Sequence, residues 1–177
     1  MTQDTAQNLI TEMKTKYKLG NYIDAKNVAL KIINEFPNEN MSWKILSAIY
    51  ANENLIEESI KAGETATKLN PLDMEAYKNL FLILLKFKKF EAAIICCEKV
   101  LKVKPDFADA YLNLGNCYKV QRKFGDAKIN FLKAIEIKPD HLLANFNLAN
   151  VCFALQEFKD AESIYKKTID LNPNFAE

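Results

Sequence analysis

Few residues in this chain have the types and spacing that chemistry needs. The single histidine is His141, and a lone imidazole with no nucleophile to activate and no second ligand beside it makes neither a general-base pair nor a metal site. Four cysteines, Cys96, Cys97, Cys117 and Cys152, form no Cys-x-x-Cys pair. They suit no disulfide framework in a chain of this size. The reading is of buried free thiols that pack as small hydrophobes. The four glycines are scattered, so no glycine loop is built to cradle a phosphate. Glu57 and Glu58 are adjacent carboxylates whose ordinary role is a solvated, salt-bridged face. No catalytic residue, metal ligand or cofactor-binding residue is assigned, and no cofactor is implied. His141 is expected in a solvated loop.

What remains is recognition, and bulk electrostatics narrow the partner. Basic and acidic residues number 24 and 23, so no global field draws the chain to nucleic acid or to an anionic membrane. The longest apolar run, Leu80 to Leu85, falls far short of the roughly 18 residues a membrane helix needs. Residues 1–10 contain Asp4 and lack the basic start and apolar block of a secretory signal. The expected setting is cytoplasmic and the expected partner is another protein or peptide.

The elements that would position such a surface announce themselves through proline. All five prolines, Pro37, Pro71, Pro105, Pro139 and Pro173, stand 34 residues apart. Proline ends a helix because it lacks the N–H and clashes with the preceding turn. With repeats opening at residues 6, 40, 74, 108 and 142, other columns align. Position 20 is always small: Ala25, Ser59, Ala93, Ala127, Ala161. Position 17 is always large and apolar: Tyr22, Ile56, Phe90, Phe124, Phe158. Together they offer a hole beside a knob on one helix face. Apolar positions 4, 7, 8 and 11 trace one amphipathic helix; positions 17, 20, 21, 24, 27 and 28 trace a second. In the first repeat these helices are expected at about 6–19 and 22–35, each later repeat following 34 residues on. The intervening turn needs a left-handed residue at position 15. Only Gly20 suits it; Asn54, Lys88, Arg122 and Gln156 would adopt it at some cost.

The fourth repeat carries Tyr111, Leu114, Gly115, Tyr118, Ala127, Phe131, Ala134 and Pro139 at positions 4, 7, 8, 11, 20, 24, 27 and 32. This resembles the tetratricopeptide repeat (TPR) family at each signature position, and the resemblance runs from residue 6 to residue 175. It implies an all-α, right-handed superhelical solenoid of five helix-turn-helix units, residues 6–39, 40–73, 74–107, 108–141 and 142–175. Residues 1–5 would form an N-terminal tail, and 176–177 would open a truncated sixth unit. Glu12 and Lys16 replace apolar residues at positions 7 and 11, as suits a terminal cap.

In that family the first helix of each repeat lines a concave surface, so positions 2, 5, 6, 9, 12 and 13 would face a ligand. Position 6 gives Asn79, Asn113 and Asn147; position 9 adds Asn116 and Asn150. An amide both donates and accepts, so a ladder of them can hold an extended peptide backbone. In this character the chain is closest to the TPR arms of O-linked N-acetylglucosamine transferase-like proteins. Lys14, Lys18, Lys44, Lys78, Lys86 and Lys119 are opposed on this surface by Glu75 and Asp109, which favours an acidic segment. Leu112, Leu143, Phe146 and Phe153 would form an apolar patch, with Phe146 as anchor.

The resulting expectation is a non-catalytic scaffold that binds an extended peptide through Asn79, Asn113, Asn147, Asn116, Asn150, Lys44, Lys78, Lys119 and Phe146. Two other readings stay open. The chain would be the substrate-selecting arm of a larger glycosyltransferase- or sulfotransferase-like enzyme, or it would form a homodimer through Val151, Leu155, Ile164 and Ile169 of an uncapped last repeat.

Overall fold

The computed structural model describes residues 3–172, which form ten α-helices in five sequential pairs. The pairs are α1 (Gln3–Lys18) and α2 (Tyr22–Glu35), α3 (Asn40–Asn52) and α4 (Ile56–Leu69), α5 (Met74–Lys86) and α6 (Phe90–Val103), α7 (Ala108–Val120) and α8 (Phe124–Ile137), α9 (Leu142–Ala154) and α10 (Phe158–Leu171). The chain divides into two compact halves, Met1–Lys89 and Phe90–Glu177. Helix α1 starts at Gln3, ahead of the expected position 6. Later first helices are held to their register by an upstream proline turn, and no proline precedes α1. Pro173 and residues 174–177, with the expected start of a sixth unit, lie outside the described residues.

Each helical hairpin turns through a left-handed residue. The five φ angles are +77° at Gly20, +62° at Asn54, +55° at Lys88, +60° at Arg122 and +64° at Gln156. The next residue's N–H then reaches five residues back, as in Leu55 N to Tyr50 O at 2.9 Å and Lys123 N to Tyr118 O at 2.9 Å. This six-to-one bond satisfies a carbonyl that the helix end leaves open. Between pairs, the prolines sit in tight turns closed by Glu39 N to Phe36 O, Asp73 N to Asn70 O and His141 N to Lys138 O, at 3.0, 3.1 and 3.0 Å. Proline suits such a turn because its φ is already fixed near the required value.

In the N-terminal half, Met13, Ala29, Ile32, Leu46 and Ile49 are core residues without solvent exposure. Ala25 and Ser59 of the small column are equally buried. Ser47 Oγ donates to Ser59 O at 2.7 Å, drawing α3 onto α4. A Cβ at Gly63 would stand 2.9 Å from both Ser47 Oγ and Leu80 Cδ1, so a larger residue would force those side chains to shift. The first helix is the polar one: Lys16 Nζ lies 3.5 Å from Glu12 Oε1 and 3.3 Å from Asp24 Oδ2.

The C-terminal half packs around Phe131, with Ala127, Ala134, Ala144, Leu148 and Val151. A Cβ at Gly115 would stand 2.4 Å from Phe131 Cε1. The glycine is thus the socket for that ring. Position 17 differs from expectation. Ile56, Phe90 and Phe124 are only half-buried, while Tyr22 and Phe158 are exposed. This residue opens the second helix beside the turn. There it meets the side chain five positions earlier, with ring centroids 5.4 Å apart for both Tyr17–Tyr22 and Phe153–Phe158. All four cysteines are buried and free. Burial pushes the Cys97 thiol far up and those of Cys117 and Cys152 up to about 11, which suits packing rather than nucleophilic chemistry.

Candidate recognition face

The side chains singled out for recognition fall into two arrangements, one in each half. In the N-terminal half, Lys44 leaves α3 and is only 7% exposed. Its Nζ donates to Glu75 Oε2 at 2.6 Å and Asp73 Oδ2 at 3.1 Å. Burial works against its charge, yet the hydrogen bonds to the two carboxylates outweigh that and hold its pKa above the ordinary lysine value. Asp73 also caps α5 by accepting from Ala76 N at 3.0 Å. Lys44 is therefore not the free groove cation that its repeat position suggests; it ties α3 to the start of α5. Lys86, though exposed, also has a partner and donates to Ala51 O. Lys78 is exposed and Asn79 half-buried, both on α5.

In the C-terminal half, α7 presents Asn113, Asn116 and Lys119 at spacings of three, and α9 presents Asn147, Asn150 and Phe153 in the same register. Lys119 Nζ donates to Asn147 Oδ1 at 2.6 Å, and Asn147 Nδ2 donates to Asn116 Oδ1 at 3.1 Å. Tyr165 OH from α10 donates to Asn150 Oδ1 at 2.6 Å. Burial pushes the Lys119 pKa below the ordinary value. Asn113 is half-buried beside this network. The structure thus joins Asn116, Lys119 and Asn147. It places Asn79 in the other half.

Three further expectations change. Leu112 belongs to the buried core, so the apolar residues open to solvent on this face are Leu143, Phe146 and Phe153, the last 60% exposed. Phe146 meets Tyr165 edge-on, with centroids 6.1 Å apart. Val151 is fully buried, leaving Leu155 and Ile169 as the exposed members of the set assigned to self-association. His141 is buried instead of solvated: it caps α9, and its Nε2 lies 2.9 Å from Asp109 Oδ1 in the first turn of α7. Asp109 is thereby a partner of His141.

One signal in the sequence could have found these contacts. Lys44–Asp73, Lys119–Asn147, Asn116–Asn147, Lys128–Glu157 and His141–Asp109 are 29, 28, 31, 29 and 32 residues apart. Each is a little less than one repeat, so a polar residue finds its partner in the equivalent helix of the neighbouring repeat or its cap. Among the described residues, no group of three or more His, Cys, Asp and Glu side chains could hold a metal ion. No helix among them is long and apolar enough to cross a membrane.

At the level of sequence, no curated protein matches the chain significantly. A family model described as "Anaphase-promoting complex, cyclosome, subunit 3" matches residues 87–168, just under half of the chain. Among solved structures, one described as MamA residues 41 to the end, from Desulfovibrio magneticus RS-1, superposes with a TM-score of 0.82 at 19% identity, covering 100% of both chains. A second MamA structure gives 0.83 at 21% identity, covering 99% of this chain and 96% of the other. The structure of YrrB, described as a TPR protein with an unusual peptide-binding site, gives 0.75 at 15% identity, covering 95% and 87%. At these identities what is shared is the architecture: the chain has the all-α, TPR-type helical-repeat fold.

Proposed function

We propose that this chain is a non-catalytic interaction module that binds an extended protein segment along the face formed by the first helices of its repeats. The observation that carries this reading is the row of asparagines in equivalent register, Asn113 and Asn116 on α7 with Asn147 and Asn150 on α9, all of them partly open to solvent. Amides at repeat spacing match the donors and acceptors of an extended backbone, whose own groups recur at regular intervals. Asn79 occupies the same column of its own repeat in the other half. Phe146, with Leu143 and Phe153, would hold an apolar side chain of the segment, and the exposed Lys78 would favour an acidic one. The likeness to YrrB supports peptide binding as the class of activity. Four free thiols support a reducing, cytoplasmic setting.

The test is the triple variant Asn79→Ala, Asn113→Ala, Asn147→Ala, probed against an array of extended peptides. The expected outcome is at least a tenfold loss of binding with an unchanged helical circular dichroism spectrum. Unaltered binding by a folded triple variant would overturn the reading.

A further inference from the structure

The α7–α9 network has a direction, and the direction selects a ligand. An ammonium can only donate, so the atom of Asn147 that faces Lys119 Nζ at 2.6 Å must be its carbonyl oxygen. The Asn147 nitrogen is then turned toward Asn116, 3.1 Å away, and must meet the Asn116 oxygen. Both amide orientations follow from the lysine alone. Each amide oxygen in the chain Lys119, Asn147, Asn116 already accepts one hydrogen bond inside it. The donors that the chain leaves unused are the remaining Lys119 N–H groups and the Asn116 amide nitrogen. Tyr165 occupies the Asn150 oxygen in the same sense. Among the described residues the one buried polar side-chain atom without a partner is Ser42 Oγ, so the Asn116 amide nitrogen reaches solvent.

Charge points the same way. Lys16, Lys26, Lys44 and Lys128 are all partly buried, and each has a carboxylate within 3.3 Å. Lys119 is partly buried too, yet it rests on a neutral amide and no carboxylate opposes the loss of its hydration. A partly desolvated cation beside donors with no acceptor of their own matches one group best, a carboxylate, which offers only acceptors and the opposite charge.

We infer that Lys119, Asn147 and Asn116 form a preorganised seat for an aspartate or glutamate side chain of an extended protein segment, with Lys119 as the residue that sets specificity. The inference rests on the groove reading above. A bound carboxylate takes hydrogen bonds from Lys119 Nζ and Asn116 Nδ2 while Asn147 holds the lysine in place. Phe153, two register steps along α9 from Asn147 and exposed, takes an apolar residue near the acidic one.

Two measurements on the whole chain test this. In the first, sodium acetate and sodium chloride are titrated at matched ionic strength while the Lys119 side chain and the Asn116 and Asn147 amides are followed by NMR. Acetate is expected to give saturable shifts confined to these groups; identical responses to both salts would overturn the seat. In the second, paired ten-residue capped peptides carry either Glu or Gln at alternate positions between apolar residues. The wild type should prefer the Glu series about tenfold, Lys119→Gln should remove the preference, and Lys119→Arg should retain most of it. Asn116→Asp, which puts a carboxylate into the seat, should abolish it. A Glu preference that survives Lys119→Gln overturns the assignment. Equal binding of both series would overturn the seat and leave the groove reading standing, whereas acetate shifts without binding of either series would do the reverse.

Discussion

The second and fourth repeats share a backbone plan and solve it with opposite residues. In the second, position 8 is Ser47 and position 24 is Gly63, and Leu80 of α5 fills the space the glycine leaves. In the fourth, position 8 is Gly115 and position 24 is Phe131, whose ring occupies the glycine's own socket. The first repeat offers a third solution, Met13 with Ala29, both fully buried. What is kept is a filled space: the facing pair fills it in the first and fourth repeats, and in the second Leu80 of a third helix completes it. Interiors are close-packed, and a hairpin cannot shrink to suit a missing side chain. Charge follows the same logic. Lys44 of the second repeat is closed off by Asp73 and Glu75, whereas Lys119 of the fourth meets only amides. One lysine is closed off by acids and the other rests on a neutral amide, and partners nearly a repeat away decide which.

The largest effect should come from upsetting the volume pair. Phe131→Ala removes a fully buried ring and should cost about 3–5 kcal/mol in chemical denaturation. Gly115→Met alone should fare as badly, because its Cβ already collides with the ring. Combining them recreates the Met13–Ala29 pair of the first repeat. The double variant should then regain at least half of the loss; additive losses would show that facing volumes are not what the repeats conserve.

The charge comparison predicts a smaller gap. Asp73→Ala strips Lys44 of a partner and α5 of its cap, leaving Glu75, whose side chain is 70% exposed, to neutralise the lysine. The expected loss is about 2 kcal/mol, below the range for a fully buried pair because Glu75 can follow the charge. Lys119→Met, by contrast, should change stability by less than about 1 kcal/mol, since it removes a partly desolvated cation that no acid balances. Equal losses in urea melts would erase the distinction between an acid-paired and an unpaired lysine charge.

These pairings mark the limit of what the sequence discloses. The helices, their turns and the left-handed position were legible because each depends on one local residue type recurring at a fixed period: Pro37 and its equivalents, the small residue at Ala25 and its equivalents. Asn113, Asn116 and Asn147 were legible as a column but not as a network, because the hydrogen bonds depend on which atoms meet between α7 and α9. Lys44 and His141 were misread for the same reason. Position within a repeat says which way a side chain sets out, while its exposure is decided by Asp73, Glu75 or Asp109 about one period away. Leu112 and Val151 were misplaced because amphipathic spacing gives the direction of a face and not its width.

Alkaline pH gives a gentler test of the cores. The Cys117 and Cys152 thiols are raised to about 11 by burial, against about 8.5 in an unfolded chain. The folded state therefore holds more thiol protons between these values, and stability must fall as pH climbs through that window. The Tm should hold steady from pH 7 to 8 and decline from about pH 9 to 11. Cys117→Ala and Cys152→Ala should each flatten the decline. The Cys-free half offers the contrast: Cys96, Cys97, Cys117 and Cys152 all lie beyond Lys89, so hydrogen exchange should loosen first in the C-terminal half. Simultaneous loosening of both halves would point to another group.

The smallest effect is expected at the turns, where the repeats differ least. Arg122 is exposed at φ +60°, a conformation that costs a residue with a Cβ about 1 kcal/mol and costs glycine almost nothing. Glycine also has more freedom to lose on folding, so the net gain is partial. Arg122→Gly should thus raise stability by about 0.5 kcal/mol, and Gln156→Gly by a similar amount. Asn54→Gly should gain less, because asparagine already tolerates the left-handed region. The reverse change, Gly20→Ala, meets no atom within 4 Å and isolates the backbone term; it should cost about 1 kcal/mol. A stabilised Gly20→Ala would mean that these turns are held by their six-to-one bonds alone, and that the left-handed column carries no preference for glycine at all.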